Sequence, residues 1–492
     1  MPQRDSPAGL TFIITAGVSK KDDPQTRKLI RSHVMRGKNL GKSRRARPTD
    51  GPQTPLPWDA EVWDPSERGQ VTTAPSSSII PKKVGSEWSF TQLAAEIEPA
   101  AIADILTYSS LARQATVPLE QCIAFNNKER VLVGPMASDA AFLHATALGT
   151  HAYVELMRGR GDQNALQTMS PHFPKALQLL RERLDSTDEE LKIANPTMMV
   201  VIALALYARM IGDYDMAKNH MEGLREIINC RGGIITIIPK TRLAMEIFRC
   251  DIGLAIETDS RPTFFSTRPS GEPFRPFPAQ MSAPIPKATD MRTCFSYSEQ
   301  FLSAINDDLA AVWRALKGLC LQLNRAARTK RKLPEEFLLE STASVMYRLL
   351  HMSFATGTLD AAIRLGLLAF SSQVCLQLPD FRVRRTSLSS AYQECLFALD
   401  MLEEQWPPLL LWLLIVGGVA VVDEAGGTWL KPWLKSTIER CGVDSWTSFQ
   451  EMMDSLMWIG LVFDKPAKDV FYSAISPSDA PETGSSSSTS LD

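Results

Sequence analysis

Three side chains with metal-ligand chemistry recur at helical spacing in the first half of the chain. His151 and Glu155 follow His144 by seven and eleven positions, and residues at these separations share one face of an α-helix. Two imidazoles and a carboxylate could hold zinc there. However, the pattern HExxH is absent, Leu148 shares the same face and no second ligand set is evident. Satisfied or exposed polar side chains are the favoured interpretation, and we expect no metal site.

A cysteine and a histidine could instead form a nucleophilic pair. Cys230 follows the amphipathic segment that contains His220, and a neighbouring histidine can activate a thiol. A buried, unreactive thiol at a helix end is the commoner arrangement. The nucleotide-binding patterns GxGxxG and GxxxxGK[ST] and the nucleophile pattern GxSxG are all absent. We therefore expect no catalytic residue and no cofactor.

The strongest charge signal lies near the start of the sequence. Residues 20–47 contain eleven Lys and Arg against two Asp, although the whole chain has a net charge of -2, so the remainder is acidic. A block of like charge repels itself and cannot be buried. Its densest part, residues 26–48, contains nine cations and no carboxylate: Arg27, Lys28, Arg31, Arg36, Lys38, Lys42, Arg44, Arg45 and Arg47.

Three uses of this basic leader remain open at the sequence level. "GKSRRARP" at residues 41–48 is similar to short nuclear import signals. Lys and Arg side chains could also contact DNA phosphates, which gives a salt-sensitive affinity without sequence preference. The third use is a solvated arm with no partner. Any DNA binding is accordingly expected to be weak.

Cysteine usage and hydropathy indicate a soluble protein of a reducing compartment. The eight cysteines are scattered singly, without CxxC, and are expected to be reduced core side chains. No secretory signal is recognisable at the first residues. The longest apolar run, Leu409–Val422, is shorter than the roughly 20 residues that span a bilayer. We interpret it as a buried helix and expect no membrane partner.

The elements that must position these residues are predicted to be helices. From residue 87 onward, apolar side chains recur at helical spacing and Pro or Gly falls chiefly between the apolar stretches. The predicted organisation is all-α: a basic, then Pro/Ser-rich leader at 1–86, a helical body at 87–466, and a Ser-rich tail at 467–492 predicted to be disordered. A Pro-rich stretch at about 258–292 is predicted to be a surface loop or lid.

Individual helices carry local signals. Ser138 or Asp139 can cap one helix and Asp213 another, and Gly232 supplies the left-handed residue that a helix ending at Cys230 or Arg231 needs. The apolar face of the Asp213-capped helix is predicted to be Ala217, Met221, Leu224 and Ile228. Later helices are predicted at 306–324, 334–378 with a break at Gly357, 387–404, 407–422, 429–440 and 445–462.

Three segments together resemble the fungal-specific transcription factor domain, the helical regulatory region of fungal zinc-cluster activators. "YDMAKNHMEGLREIINCRGGI" (Tyr214–Ile234) resembles its helix that ends in Arg-Gly-Gly. "MYRLLHMSFATGTLDAAIRLGLLAF" (Met346–Phe370) and "LLLWLLIVGGVAVVDEAGGTWLKPWL" (Leu409–Leu434) are similar to later parts. The resemblance covers roughly residues 90–465. Family activators read DNA through six zinc-binding cysteines, whereas here no cysteine precedes Cys122.

The resemblance implies a nuclear transcriptional regulator that lacks the zinc-cluster DNA-binding domain. Its expected partners are the transcriptional machinery or other regulators, an import receptor for the leader, and DNA only weakly. Two alternatives stay open. One is a helical scaffold outside the nucleus, and the other is an enzyme with a pocket among the helices and the Pro-rich stretch as its lid. Target genes, a small-molecule effector and homo-oligomerisation are not determined by the sequence.

Overall fold

The computed structural model describes ten stretches of the chain. They are residues 92–116, 118–125, 133–158, 170–238, 241–265, 275–282, 298–375, 386–399, 402–422 and 429–475. All of them belong to one compact unit, Pro81–Asp492. The basic leader lies outside the described residues.

The described residues form an all-α fold, as the sequence predicts. In chain order the helices are α1 Pro99–Thr116, α2 Val133–Ser138, α3 Ala140–Met157, α4 His172–Leu184, α5 Glu189–Lys192, α6 Asn195–Met210, α7 Tyr214–Cys230, α8 Thr241–Glu257, α9 Asp307–Thr329, α10 Glu335–His351, α11 Leu359–Cys375, α12 Thr386–Phe397, α13 Leu402–Gln405, α14 Pro407–Ala420, α15 Leu430–Arg440, α16 Trp446–Leu456 and α17 Gly460–Ile475. Two short parallel strands, β1 Ile123–Ala124 and β2 Leu333–Pro334, pair Ile123 with Leu333.

The first group of helices packs around α3 and α6, which contact α1, α4 and α7. The Asp139 side chain caps α3 by accepting from the Phe142 N–H at 3.0 Å. Asp213 caps α7 in the same way, through the Met216 N–H at 2.9 Å. The four side chains predicted for the buried face of α7 are all 0% exposed: Ala217, Met221, Leu224 and Ile228. Both cap predictions and this face prediction are confirmed.

The turn after α7 also follows its sequence. Gly232 and Gly233 have φ angles of 106° and 90°, which side chains with a Cβ rarely adopt. The Gly233 N–H donates a hydrogen bond to the Ile228 carbonyl at 2.9 Å, which caps the C-terminal end of the helix. Arg231 then donates to the Ile193 carbonyl at 3.2 Å. The Arg-Gly-Gly sequence is therefore a helix stop.

The second group of helices surrounds α14, which packs against α11, α15 and α17. Every residue from Leu409 to Gly417 is buried, and each buried large apolar side chain contributes about 1.5–3 kcal/mol. Trp412 lies among aromatic rings, with Trp313 at 5.0 Å between ring centroids, and its indole N–H donates to the Met457 carbonyl at 2.8 Å. The interpretation of this apolar run as a buried helix is confirmed.

One other stretch resembles a membrane span in composition. Among the described residues, Glu189–Met210 is long and apolar enough to cross a bilayer, and half of its most apolar window is buried within the fold. A core helix meets the same criteria. This single match is weak evidence for a membrane contact.

The C-terminal boundary predicted at residue 466 falls too early. The helix predicted at 445–462 is two helices, α16 and α17, and α17 continues to Ile475. It passes through Pro466, which normally disfavours a helix interior. Ala467, Phe471 and Ala474 are buried beyond that proline, so the apolar face offsets its cost and extends the folded body by nine residues.

Part of the Pro-rich stretch packs against the helical body through one buried side chain. Residues 275–282, here called the strap, lie against α9. Met281 is 3% exposed, and its backbone reaches Gly318 so closely that a Cβ at Gly318 would overlap the Met281 carbonyl oxygen. The Arg348 guanidinium lies 4.3 Å from the ring centre of Phe277. These residues lie at the surface, as predicted, and Met281 anchors them because Gly318 on α9 leaves room for their backbone.

Candidate functional site

The nine cations predicted to contact nucleic acid or an import receptor lie outside the described residues. Their role stays a prediction. Within the described body, the groups that could do chemistry are the histidines, the buried charges and the exposed basic residues.

The three side chains predicted to share one helical face do not converge. The Nδ1 atom of His144 on α3 lies 2.9 Å from the Nδ1 atom of His172 on α4. His151 pairs instead with Asp104 at 2.9 Å, and Glu155 accepts from Arg158 at 2.7 Å. Each group has its own partner, and no cluster of three or more metal-ligating side chains occurs in the described part of the chain.

The His144–His172 pair is a buried hydrogen bond between two imidazoles. One ring must carry the proton on Nδ1 and the other must accept it. Burial is the main cause that lowers the pKa of both rings below the ordinary 6.5, and their mutual repulsion when charged adds to this effect for His144. Glu98 lies 3.4 Å from His172 and favours its charged form. The pair therefore stabilises the fold best in its neutral state.

Cys230 and His220 do not form a nucleophilic pair. They are ten residues apart on α7, which separates them by about 15 Å along the helix axis. Burial lowers the pKa of His220, and its Nε2 atom has no hydrogen-bond partner among the described residues. Cys230 is exposed, so the expectation of a core position is wrong for this cysteine, because the last turn of α7 turns it away from the packed face.

The densest group of buried charge joins α6 to α8. The Arg209 guanidinium donates to both carboxylate oxygens of Glu257, at 2.6 and 3.0 Å. Burial alone would lower the pKa of Arg209, but the Glu257 carboxylate raises it above its ordinary value. Burial raises the pKa of the adjacent Cys250 to about 12, so this cysteine is a neutral thiol. The group fits a structural ion pair and lacks an activated nucleophile.

A second buried carboxylate lies on the same helix. Asp251 is 1% exposed and accepts three hydrogen bonds: from the Thr263 N–H at 2.7 Å, the Phe264 N–H at 3.0 Å and the Tyr347 hydroxyl at 2.9 Å. Burial raises its pKa to about 6, although the three donors act in the opposite direction. Asp251 thus fixes the start of the Pro-rich stretch onto α8 and α10.

A cationic segment that sequence reasoning missed lies in the described body. Five cations occupy eight residues, at the end of α9 and in the link to β2, and all five are exposed. None of them forms an ion pair with a described residue. We call this set the basic patch: Arg325, Arg328, Lys330, Arg331 and Lys332. Its signal, "RAARTKRK", is readable in the sequence, although the leader is longer and contains more cations.

The basic patch is held in place at both ends. On α9, the Asn324 amide donates to the Trp458 carbonyl at 2.8 Å, and Ala326 is 3% exposed. At the other end, the Leu333 N–H donates to the Cys122 carbonyl at 2.8 Å, where β2 meets β1. Between them, Lys330 adopts a left-handed conformation with φ of 55°. The cations therefore project from a fixed backbone.

An exposed aromatic group marks another surface. Phe397 is 53% exposed, its ring stacks on Trp433 at 5.7 Å between centroids, and Trp429 meets it edge-on at 5.1 Å. We call these three residues the aromatic surface. Large aromatic side chains open to solvent are enriched at protein–protein interfaces.

Comparisons with known proteins add no assignment. No family model, curated protein or solved structure matches this chain.

Proposed function

We propose that the chain is a helical regulatory protein of the nucleus, a relative of the fungal-specific transcription factor domain without a zinc cluster. It acts mainly through contacts with other proteins, the transcriptional machinery or other regulators. Its basic leader serves nuclear import and weak, sequence-independent contact with phosphates. The enzyme alternative gains no support from the described residues, whose buried carboxylates and thiols fit structural roles.

The observation that carries the proposal is the aromatic surface. Phe397, Trp429 and Trp433 form a continuous ring contact, and Phe397 keeps half of its surface open to solvent. Exposing aromatic area is unfavourable in an isolated body, because burying it would stabilise the chain. A protein partner that covers the Phe397 ring accounts for its exposure. The same surface would serve a scaffold outside the nucleus, so localisation decides between the two.

Localisation of a fluorescent fusion of the full chain tests the nuclear part of the proposal. The wild type should accumulate in the nucleus, and replacing Lys42, Arg44, Arg45 and Arg47 with Ala should shift it to the cytosol. A matched variant with Lys175, Lys431, Lys435 and Lys465 replaced by Ala removes the same charge from exposed positions of the body and should stay nuclear. Wild-type exclusion from the nucleus would favour the scaffold.

A cross-linking experiment tests the protein-contact part. In nuclear extracts, Phe397→Ala should abolish specific cross-links that the wild type forms with regulatory proteins, while Tyr472→Ala, which truncates another exposed aromatic side chain, should keep them. Chromatin immunoprecipitation of the full chain and of a deletion of residues 20–47 then separates the two routes to chromatin. Retention in the deletion would assign chromatin association to protein contacts.

A further inference from the structure

We propose that the basic patch on α9 binds the sugar-phosphate backbone of nucleic acid, so that the folded body has a phosphate contact of its own besides the leader. The inference deepens the proposed function, on which it rests for its nuclear setting. It concerns Arg325–Lys332, a segment quite separate from residues 27–47.

Unbalanced charge is the first observation in favour of such a contact. Outside residues 20–47 the chain has 42 Lys and Arg against 53 Asp and Glu, so an acidic body contains a compact run of five cations. Cations near the end of a helix compensate its dipole, but only Arg328 lies in the last turn of α9. Burial and the nearby Asp464 raise the pKa of Asp454, and Arg328 acts in the opposite direction. Arg328 and Asp454 nevertheless form no ion pair. Helix stability does not explain the other four cations.

The spacing of the cations also fits a phosphate backbone. The four helical steps from Arg325 to Thr329 and three further steps through the left-handed Lys330 to Lys332 give a contour length of at most roughly 16 Å, given a rise of about 1.5 Å per helical residue and 3.3 Å per extended residue. A strand of B-DNA carries one phosphate charge per roughly 3.4 Å of helix axis. At most about five phosphates therefore lie within the length of the basic patch, so its five cations are numerous enough to contact each of them.

The backbone of the basic patch is fixed, which favours its use as a binding surface over its use as a flexible tether. The Asn324–Trp458 and Leu333–Cys122 hydrogen bonds fix the two ends of the segment. Binding a polyanion then costs side-chain ordering but little backbone ordering. A solvated arm has no such anchors, so the basic patch suits a docking surface better than a tether.

The chemistry around the basic patch favours nucleic acid over an acidic peptide or an anionic membrane. Amphipathic segments that bind membranes insert large apolar side chains, and protein interfaces depend on buried apolar or aromatic anchors. The large apolar side chains that are exposed in the described body are Leu184, Leu191, Ile235, Phe397, Tyr472 and Ile475. None belongs to the patch segment, which therefore offers charge alone.

The test measures binding of the full-length protein to a labelled 20-base-pair duplex by fluorescence anisotropy between 50 and 200 mM salt. The patch variant replaces all five cations with Gln: Arg325, Arg328, Lys330, Arg331 and Lys332. The control variant replaces five exposed lysines elsewhere with Gln: Lys175, Lys431, Lys435, Lys465 and Lys468. Removing one cation–phosphate interaction lowers the slope of log affinity against log salt by about 0.9. We therefore expect the slope to fall by about 2 to 4 in the patch variant and by less than 1 in the control.

Two further variants separate the effect of charge from an effect of misfolding. Arg325→Lys with Arg328→Lys and Arg331→Lys retains the charge and should retain the slope. Arg331→Gln with Lys332→Gln changes only the link after α9, so it tests the proposal even if the fivefold variant unfolds, and should lower the slope by about 1 to 2. Equal slopes in the patch and control variants would overturn the inference, as would tighter binding to polyglutamate than to the duplex. Neither result would touch nuclear localisation, which tests the proposed function separately.

Discussion

Two regions of the molecule collect charge, and they treat it in opposite ways. Arg209 on α6 pairs with Glu257 on α8, and their side chains are 11% and 3% exposed. Asp251 on α8 is buried and accepts a hydrogen bond from Tyr347 on α10. At the end of α9, five cations are exposed and none is answered by a described carboxylate. The charges of the first region stabilise the fold, whereas we infer that those of the second bind a partner outside the chain.

Helix α9 contains both buried and exposed cations within a few turns. Lys317 on α9 is 8% exposed and donates to the Ser455 carbonyl at 2.6 Å, which ties α9 to α16. Arg325 and Arg328, farther along α9, reach solvent. Burial therefore separates cations that hold the body together from cations that are free to meet a ligand.

Breaking the buried region should have the largest effect on stability. Glu257→Gln leaves Arg209, whose side chain is 11% exposed, without its carboxylate, and removing one partner of a buried ion pair typically costs about 3–5 kcal/mol. The free energy of unfolding in urea should fall by that amount. Glu190→Gln, at an exposed glutamate, should change it by less than about 0.5 kcal/mol. Similar small losses in both variants would mean that the Arg209–Glu257 pair contributes nothing to the body.

The strap is the next contact in order of effect. Gly318→Ala places a Cβ where the Met281 carbonyl oxygen lies, and overpacking of this kind costs about 1–3 kcal/mol. Gly223→Ala is the matched control, because a Cβ at Gly223 meets nothing within 4 Å and should stabilise α7 by about 0.5–1 kcal/mol. Urea unfolding of both variants checks the opposite signs, and stabilisation by Gly318→Ala would contradict the close packing of the strap.

The contribution of Asp251 to stability should depend on pH, because this buried carboxylate has no cationic partner like that of Glu257 among the described residues. Asp251→Asn turns an N–H donor toward the Thr263 or Phe264 N–H, and an unsatisfied buried group costs about 1–3 kcal/mol. Burial raises the pKa of Asp251 to about 6, so the folded wild type binds an extra proton between about pH 4 and 6 and loses that stability as pH rises. The advantage of the wild type over the variant should therefore shrink from pH 4 to pH 7. A constant difference would show that Asp251 has the same pKa in the folded and the unfolded chain, which contradicts the raised pKa.

The histidine pair should respond to pH in the opposite direction. Burial lowers the pKa of His144 and His172, so the unfolded chain binds more protons below about pH 6.5 and the free energy of unfolding falls as pH falls. His144→Gln removes one titrating ring and keeps a hydrogen-bonding group. Its loss of stability between pH 7 and pH 5.5 should be smaller than that of the wild type, and equal losses would exclude the pair as a cause.

The basic patch should have the smallest effect on stability. Replacing its five cations with Gln should change the free energy of unfolding by less than about 0.5 kcal/mol per site, because exposed unpaired charges contribute little to the fold. A loss as large as that of Glu257→Gln would show that these cations have partners inside the body, and the contrast between the two regions would fail.

Much of the fold follows from local sequence signals. Asp139 and Asp213 cap helices because carboxylates accept backbone N–H groups, and the face of α7 repeats at helical spacing. The sequence could not show that Pro466 would be accommodated, because its cost is offset when Phe471 is buried against Trp446 and Phe449 of α16. The partners of His144 and His151 were likewise set by tertiary packing, since His172 and Asp104 lie on other helices.

We expect the exposed cations to contact phosphates without reading bases, since phosphate contacts carry no sequence information. The most direct measurement is selection of bound duplexes by the full-length protein from a random-sequence pool at about 50 mM salt. We predict that the recovered pool keeps its random composition and that raising salt to about 200 mM lowers the affinity by about a thousandfold or more. Enrichment of one motif that binds about a thousandfold tighter than the pool, and still binds at 200 mM salt, would contradict it.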